Sequence, residues 1–248
     1  MPDRKTETTD FGFRDIPEAQ KAAQVHAVFA SVARKYDLMN DILSFGMHRL
    51  WKRATVRKAA LAPGMRVLDI ASGTGDLAIA EIAHVLPGGE VLATDINPDM
   101  LEVARRRIKA KGLAVQTAVC DAEALPFEDG RFDVVTVAFG IRNMTHKDRA
   151  LSEMLRVLKP GGRLLVLEFS RVRKILSPFY DFYSLVVMPA IGRLVTQDGP
   201  SYRYLAESIR RHPAQEPFAQ MIRQAGFEDV TWEDFTFGVC ALHAGRKP

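Results

Sequence analysis

After Gly64, short apolar runs alternate with longer segments in which apolar residues recur every three or four positions. The short runs predict strands and the longer segments predict helices. Strands that alternate with helices are typical of a parallel, doubly wound α/β sheet. The short link between the last two runs predicts an antiparallel hairpin. The seven predicted strands are "RVLDIA", "EVLATD", "AVQTAVC", "FDVVTVAF", "RLLVLEF", "EDVTWEDF" and "FGVCALHAG".

Three segments depart from this alternation. Residues 1–24 are polar and predict an N-terminal arm, whereas residues 25–62 carry apolar positions at helical spacing and predict a helical cap. Residues 171–212, rich in Arg, Tyr and Pro, predict a helical insertion after the fifth strand. We therefore expect a single α/β domain over residues 25–248, with a mostly parallel seven-stranded sheet and an antiparallel strand near its end.

The composition is that of an ordinary soluble domain and does not by itself indicate a function. The chain has 248 residues, 47% of them hydrophobic, a net charge of +4 and a pI near 9.1, which suits one soluble domain. Cys120 and Cys240 are far apart and form no CxxC pair, so neither a disulfide framework nor a metal site is expected. Because no signal-like or membrane-length apolar run is present, we expect a cytoplasmic protein.

The stretch "VLDIASGTGDLAIA" joins the first predicted strand to a helix through a glycine turn. Gly73, Gly75 and Ala78 match the G-x-G-x-x-A spacing of dinucleotide-binding proteins, a weak signal when taken alone. Glycines allow the backbone to approach a ligand, and the amino end of the following helix favours an anionic group. A pyrophosphate satisfies these conditions, and so does the carboxylate of a bound amino acid.

Aspartates distinguish these two ligands. Asp69, Asp95 and Asp121 lie at or near the carboxyl ends of the first three strands, which is the ligand-binding edge of an open α/β sheet. An edge this acidic disfavours a pyrophosphate and suits a cation that also carries a ribose and an adenine. Asp95 is placed to accept bonds from both ribose hydroxyls, and Asp121 with Ala122 can meet the adenine. We therefore expect S-adenosylmethionine as the cofactor, with a NAD-dependent oxidoreductase as the alternative.

Two longer motifs, "YDLMNDILSFGMHRLW" (residues 36–51) and "RVLKPGGRLLVLEFS" (residues 156–170), allow a closer comparison. They resemble signatures of the ubiquinone/menaquinone biosynthesis C-methyltransferases, a family of Rossmann-like class I methyltransferases. The resemblance extends through "FGIRNMTHKDRAL", "SYRYLAESIRRHP" and "GVCALHAG", and so covers nearly the whole chain.

This resemblance implies methylation of a ring carbon of a polyprenylated quinol. The acceptor is demethylmenaquinol, the 2-methoxy-6-polyprenyl-1,4-benzoquinol precursor of ubiquinone, or both. Position by position, it implies cofactor contacts at Thr74, Asp95, Asp121 and Ala122, in addition to the turn glycines Gly73 and Gly75. A non-catalytic cofactor-binding scaffold for quinone-pathway enzymes is the second alternative.

For the reaction itself we place Arg142 and Asn143 of "FGIRN" at the quinol. A guanidinium can stabilise phenolate charge, and an amide can orient an oxygen or a water that takes the proton. The competing interpretation is that Arg142 forms a structural ion pair with a loop carboxylate. Asp37, His48 and Trp51 could form part of a substrate wall, but a histidine beside a tryptophan on an amphipathic helix is more often a packed residue, so His48 is not among the predicted catalytic residues.

The apolar stretch "FYDFYSLVVMPAIG" of the insertion is too short to span a bilayer but can line a prenyl channel or touch the inner face of a membrane. A plain core helix or a dimer interface explains it equally well, and a homodimer or a complex with other quinone-pathway enzymes also stays open. The basic run "RRRIKAK" (residues 105–111) lacks interleaved aromatic residues and is expected to be a solvated helix face. Nucleic acid is therefore not an expected partner.

Overall fold

A seven-stranded sheet forms the centre of the computed structural model, which describes residues 8–32, 36–196 and 199–248, with the side chains of residues 30–37 and 195–198 also outside the description. In the described part, a separate two-stranded hairpin precedes this sheet. The strands are β1 Thr8–Phe11, β2 Arg14–Pro17, β3 Arg66–Ile70, β4 Glu90–Asp95, β5 Gln116–Val119, β6 Phe132–Ala138, β7 Leu158–Phe169, β8 Glu228–Phe235 and β9 Cys240–Arg246.

Helices cover both faces of the sheet and its carboxyl edge. A π-helical segment, Tyr183–Val187, joins α7 to α8, and short 3-10 segments span Ile141–Asn143 and Thr236–Gly238. The α-helices are α1 Glu18–Val32, α2 Tyr36–Ser44, α3 Met47–Ala59, α4 Asp76–Val85, α5 Pro98–Ala110, α6 Lys147–Val157, α7 Ser177–Phe182, α8 Met188–Thr196, α9 Gly199–Arg211 and α10 Gln215–Gln224.

The strand order β5-β4-β3-β6-β7-β9-β8 confirms the predicted sheet. Strands β3 to β7 pair in parallel, while β9 is antiparallel to both of its neighbours. The near-continuous apolar runs of the central strands follow from this arrangement, because a parallel sheet is buried on both faces. Val67 and Val134 pack on one face and Leu68 and Val135 on the other, each with no exposed surface.

The order of the strands reverses next to β3, which pairs with β4 on one side and with β6 on the other. Open α/β sheets bind ligands at such a switch point, outside the carboxyl ends of the strands. The glycine turn after β3, Asp95 at the end of β4 and the segment after β6 therefore come together at one edge.

The segment "LKPGG", whose proline and glycines predict the end of a helix and a turn into the next strand, comes directly after α6, which ends at Val157. Strand pairing begins sooner than expected, because Leu158 already pairs with Phe132. The register then shifts, and regular pairing resumes with Arg163 opposite Val134. The predicted turn is thus an irregularity at the start of β7. Helices α7 to α9 follow β7 and confirm the predicted helical insertion.

The predicted polar arm differs from the structure where the two overlap. Residues 1–7 lie outside the described part, but β1 and β2 pair as a hairpin and α1 begins at Glu18, well before residue 24. Contacts distant in sequence hold this segment: the Phe11 ring stacks on Tyr204 with centroids 4.3 Å apart, and buried Lys21 donates to Asp10 over 3.1 Å and to the carbonyl of Met144. A local pattern of polar residues contains no sign of these contacts.

Candidate active site

Two adjacent cavities open along the carboxyl edge of the sheet. The larger, about 410 Å³, is bounded by the glycine turn, the ends of β4 and β5, and α1. The smaller, about 260 Å³, is bounded by α2, α3 and the insertion, and its lining is mostly apolar. Phe29 and Phe139 line both cavities, so a ligand in one lies next to a ligand in the other.

The glycine turn uses both of its glycines, in different ways. Gly73 lines the larger cavity with φ near 56°, and a Cβ there would come within 3.3 Å of the Met100 side chain. Gly75 lies behind the cavity wall with φ near 78°, and a Cβ there would come within 3.1 Å of Ala104 on α5. The first glycine therefore leaves room for a ligand, and the second lets α4 begin close to α5.

Asp95 fixes the turn from the neighbouring strand. One carboxylate oxygen accepts the backbone N–H of Gly73 and the other accepts that of Asn97, both over 2.8 Å. Burial raises the pKa of Asp95, and these N–H bonds act in the opposite direction. Because each carboxylate oxygen can accept a second bond, Asp95 is able to hold two hydroxyl groups while it holds the turn.

The other predicted cofactor residues lie around the same cavity. Thr74, Asp121 and Ala122 line it together with Cys120. Asp121 accepts the backbone N–H of Glu123 over 2.9 Å, which closes a tight loop after β5. Of the predicted cofactor set, only Gly75 stands back from the wall.

Asp69 does not take the place expected for it at the rim. Its side chain is 1% exposed and lies under the turn, where it accepts the Ser72 hydroxyl over 2.7 Å. Burial raises the pKa of Asp69. Of the three predicted aspartates, Asp95 and Asp121 therefore line the cavity, while Asp69 supports the turn from below.

Arg142 and Asn143 lie on opposite sides of the boundary between the cavities: Arg142 lines the smaller and Asn143 the larger. The Arg142 guanidinium is 2.9 Å from a carboxylate oxygen of Glu168 on β7, and both side chains are almost fully buried. It also donates to the carbonyl of Phe139 and lies over the ring of Phe169. The interpretation of Arg142 as part of a structural ion pair is thus confirmed. The partner carboxylate, however, lies on a strand and not on a loop.

Asn143 is held by the insertion. Its side-chain oxygen accepts the hydroxyl of Tyr204 on α9 over 3.0 Å. This bond connects the segment after β6 with the helices that enclose the smaller cavity. The position of Asn143 therefore depends on a contact with α9 of the insertion.

Comparison with known proteins decides the family. The model of the ubiE/COQ5 methyltransferase family matches residues 11–247. The chain belongs to this family. It is 60% identical over 241 residues to the ubiquinone/menaquinone biosynthesis C-methyltransferase UbiE of Bordetella parapertussis, with 97% of this chain and 93% of the relative covered.

Solved structures that resemble this ubiE/COQ5 family member share its fold at low identity. The [4+2]-cyclase SpnF has a TM-score of 0.67 at 20% identity, with 92% of this chain and 96% of the cyclase covered. A methyltransferase of Thermotoga maritima, described as S-adenosylmethionine-dependent and a possible histamine N-methyltransferase, has a TM-score of 0.63 at 22% identity, with 90% and 99% covered. Together with the family match, these results confirm the predicted fold, enzyme class and cofactor, and they support neither the scaffold nor the NAD alternative.

In this ubiE/COQ5 family member, sequence reasoning missed a charged network under the glycine turn. Asp76 at the start of α4 pairs with Lys52 over 2.9 Å and with Arg107, and Arg107 also donates to the carbonyl of Thr74 over 2.8 Å. Burial by itself raises the pKa of Asp76, but Lys52 and Arg107 outweigh burial and lower this pKa to about 2. Arg107 comes from the basic run expected to face solvent, so that expectation was wrong for this residue.

The second missed feature is the cover over the larger cavity. Helix α1 lines it with Ala22, His26 and Phe29, and His146 links the helix to the loop after β5. The His146 ring lies 3.1 Å from Glu18 at the start of α1 and 2.8 Å from Glu123. The hydrogen bond with Glu123 raises the pKa of His146, so protonation strengthens this link.

Proposed function

We propose that this chain transfers the methyl group of S-adenosylmethionine to a ring carbon of a polyprenylated quinol, either demethylmenaquinol or 2-methoxy-6-polyprenyl-1,4-benzoquinol. The observation that carries the proposal is the contact between a polar cavity built on Asp95 and an apolar, aromatic cavity, with Phe29 and Phe139 common to both. Such a pair suits a charged methyl donor beside a hydrophobic acceptor.

The larger cavity fits the cofactor. Gly73 borders the cavity without a side chain to occupy it, Asp95 offers acceptors for the ribose hydroxyls, and Asp121 with Ala122 offers an acceptor and a backbone donor for the adenine. Thr74 lines the cavity just before the amino end of α4, which carries no side-chain cap, so a carboxylate of the cofactor would be favoured near it. When bound, S-adenosylmethionine supplies an electrophilic methyl group.

On the acceptor side, the chain has to position a ring carbon and stabilise a phenolate. A phenol, with a pKa near 10 by analogy with tyrosine, becomes a strong carbon nucleophile when it loses its proton. We assign charge stabilisation to Arg142, in the wall of the smaller cavity, and orientation of a quinol oxygen to Asn143. Aromatic side chains around them, such as Trp51, Phe169 and Tyr180, exclude water from the reacting groups.

The polyprenyl tail of the quinol needs an apolar surface to lie on. The insertion carries such a surface, and we propose that it faces a membrane. Large apolar side chains stand exposed on the segments that bound the smaller cavity, among them Phe45, Phe179 and Phe182 at 81%, 75% and 64% exposure. In the described part of the chain, no helix is long and apolar enough to cross a bilayer. We therefore propose that the enzyme touches the inner face of the membrane through this surface, assisted by the basic residues Arg171, Arg173 and Lys174.

Vesicle binding tests the membrane contact. The protein should co-sediment with anionic vesicles, less so at high salt, and Phe179→Ser with Phe182→Ser should weaken binding severalfold. Leu86→Ser, which removes an exposed apolar side chain at the far end of α4, is the matched control. Indifference of the wild type to both lipid and salt would remove this part of the proposal.

The reaction is tested by offering a naphthoquinol and a methoxybenzoquinol with short prenyl tails, under reducing conditions and with isotopically labelled S-adenosylmethionine. The expected product is heavier by one methyl group, located on a ring carbon by fragmentation in the mass spectrometer. Methyl transfer to oxygen, or no transfer to either acceptor, would refute the proposed function.

A further inference from the structure

His48 lies in the wall of the smaller cavity, close to the larger one. It is 5% exposed on α3 and lines the apolar cavity with Trp51 and Phe139. One helical turn further on, Lys52 lines the larger cavity and pairs with Asp76. Since residues four apart share a helix face, His48 borders the part of the apolar cavity that adjoins the cofactor cavity.

The hydrogen bonds of Ser44 assign the tautomer of His48. The Ser44 hydroxyl is 2.8 Å from Nδ1 of His48 and 2.6 Å from the carbonyl oxygen of Asn40. A hydroxyl has one proton to donate, and a carbonyl oxygen can only accept. The proton therefore lies on the bond to Asn40, so Nδ1–H of His48 donates to the Ser44 oxygen. The neutral ring then carries its lone pair on Nε2.

Nε2 has no hydrogen-bond partner among the residues that the structure describes. The nearest carboxylate oxygen, on Asp41, is 3.7 Å away, beyond hydrogen-bond distance, and Arg49 donates to that oxygen over 2.7 Å. The carboxylate is close enough to favour a positive charge on the ring once a proton arrives. His48 thus lines the apolar cavity and carries a basic nitrogen that no described residue hydrogen-bonds.

We infer that Nε2 of His48 accepts the hydroxyl proton of the quinol and so acts as the general base of the reaction. The inference rests on the proposed function. It supplies a group that Arg142 and Asn143 do not, because a guanidinium stays protonated and an amide is not basic. General bases of this kind contribute about 10²–10⁴-fold in rate.

The charges around the ring are compatible with this role. Burial and Lys52 lower the pKa of His48, while Asp41 and Asp76 oppose the shift and Arg49 adds to it. The ring is therefore neutral at pH 7 and able to accept a proton. The other polar side chains of the cavity wall are the Arg142 guanidinium, the Asn40 amide, the Trp51 indole N–H and the hydroxyls of Ser44, Tyr180, Tyr183, Ser201, Tyr202, Tyr204 and Thr236.

Protons and electrons balance in this sequence. The quinol O–H bond breaks, its proton forms a bond to Nε2, and the phenolate carbon bonds to the methyl carbon while the methyl–sulfur bond breaks with its electron pair on sulfur. The methylated ring carbon then loses its hydrogen as a proton to water, the ring regains aromaticity as a phenolate, and the imidazolium returns its proton to the oxygen. The net release is one proton for each methyl group transferred.

His48→Asn is the main test, because the asparagine amide can still donate to Ser44 but carries no base. We expect kcat to fall by about 10²–10⁴-fold, with the affinity for S-adenosylhomocysteine unchanged within twofold by calorimetry. The acid limb of the wild-type pH profile of kcat, with a midpoint below 6.5, should disappear in the variant. His84→Asn, on the exposed last turn of α4, is the matched control.

Nitrogen-15 NMR of the histidine rings gives a readout that does not depend on turnover. Above pH 7, in protein without cofactor, His48 should show a protonated Nδ1 and an unprotonated Nε2, and Ser44→Ala should redistribute the proton between them. A proton fixed on Nε2, or wild-type-like kcat in His48→Asn within threefold, would overturn the inference. Should His48→Asn fail to fold, the NMR result and the wild-type pH profile decide. A wild type that methylates neither quinol refutes the proposed function instead, and the tautomer remains measurable.

Discussion

Replacing Arg142 separates its structural role from its catalytic one. In the folded chain its guanidinium and the Glu168 carboxylate are 3% and 1% exposed and 2.9 Å apart. Arg142→Met keeps most of the side-chain volume but leaves the carboxylate buried without its cation. Breaking a buried pair in this way costs about 3–5 kcal/mol. For a chain of this length, that corresponds to a loss of roughly 6–20 °C in Tm.

The double variant Arg142→Met, Glu168→Gln should be more stable than the two single losses predict. Glutamine removes the orphaned charge, and its carbonyl oxygen can still accept the backbone N–H of Phe169, which Glu168 accepts over 2.8 Å. We therefore expect a coupling free energy of about 2–3 kcal/mol, within the range for residues in contact. Urea unfolding, followed by the fluorescence of Trp51 and Trp232, measures the free energy of unfolding of the wild type, the two single variants and the double variant. Additive losses, with coupling below about 0.5 kcal/mol, would refute the buried pair as an energetic unit.

The same double variant decides the catalytic assignment. Once urea unfolding shows that the variant is folded, a drop in kcat of about 10²–10³-fold would reflect lost stabilisation of developing charge at the quinol. If its kcat stays within threefold of the wild type, Arg142 serves only to hold β7 to the segment after β6. Binding of S-adenosylhomocysteine, measured in parallel, is expected to be unchanged in either case.

Three further predictions concern the cofactor side. Asp95→Ala removes the acceptor for two backbone N–H groups and should weaken S-adenosylhomocysteine binding by about 10–100-fold, or about 1.4–2.7 kcal/mol. The control Asp99→Asn changes an exposed neighbour and should leave the affinity measured by calorimetry unchanged. Asp76→Asn should lower the free energy of unfolding by about 2 kcal/mol near pH 7, because the pKa of Asp76 falls from 3.8 in the unfolded chain to about 2 on folding. That contribution is complete above pH 3.8 and is lost as the pH falls towards 2, so the urea midpoints of wild type and variant should converge on acidification. His146→Gln should lower the protection factors of backbone amides near the start of α1 in hydrogen exchange. In the wild type the same protection factors, which already allow for the intrinsic rise of exchange with pH, should fall as His146 loses its proton; equal protection in both proteins at every pH would contradict the link.

The sheet and the glycine turn were predictable because their signals are local. Central strands such as β6 are buried on both faces, which produces a continuous apolar run, and a turn that needs positive φ at Gly73 and Gly75 selects glycine. Parallel pairing then brings the carboxyl ends of β3 and β4 together without further information. The position of Asp95 follows from this geometry alone.

The cover over the cofactor cavity could not be predicted in this way. Glu18 and His146 are 128 residues apart, and Lys21 reaches a carbonyl 123 residues away. Nothing in the polar N-terminal stretch indicates which distant loop it meets. The pairing of Arg142 with Glu168 could not be predicted either, because a carboxylate inside an apolar strand does not indicate which cation it pairs with.

The partly buried position of Arg107, by contrast, could have been predicted from helical spacing. The buried positions of α5 include Ala104 and Ile108, and residue 107 lies three positions after the first and one before the second. It therefore borders the buried stripe, whereas Arg106 faces solvent with 77% exposure. Helical spacing applied residue by residue would have separated Arg107 from the rest of the basic run.

Both cavities depend on segments that interrupt the βα alternation, though to different degrees. The sheet edge supplies Gly73, Asp95 and Asp121 to the larger cavity, with α1 as its cover. The smaller cavity is built mainly from α2, α3 and the insertion, and the sheet contributes little beyond the residues after β6 and at the end of β7. Because a cyclase shares this fold at 20% identity, the fold by itself fixes no reaction. We therefore expect the choice of acceptor to reside in the residues that line the smaller cavity, most of which fall in residues 36–59 and 171–212. Substitutions there should change the preference between benzoquinol and naphthoquinol, while substitutions along β3 to β5 should change cofactor affinity for both acceptors alike.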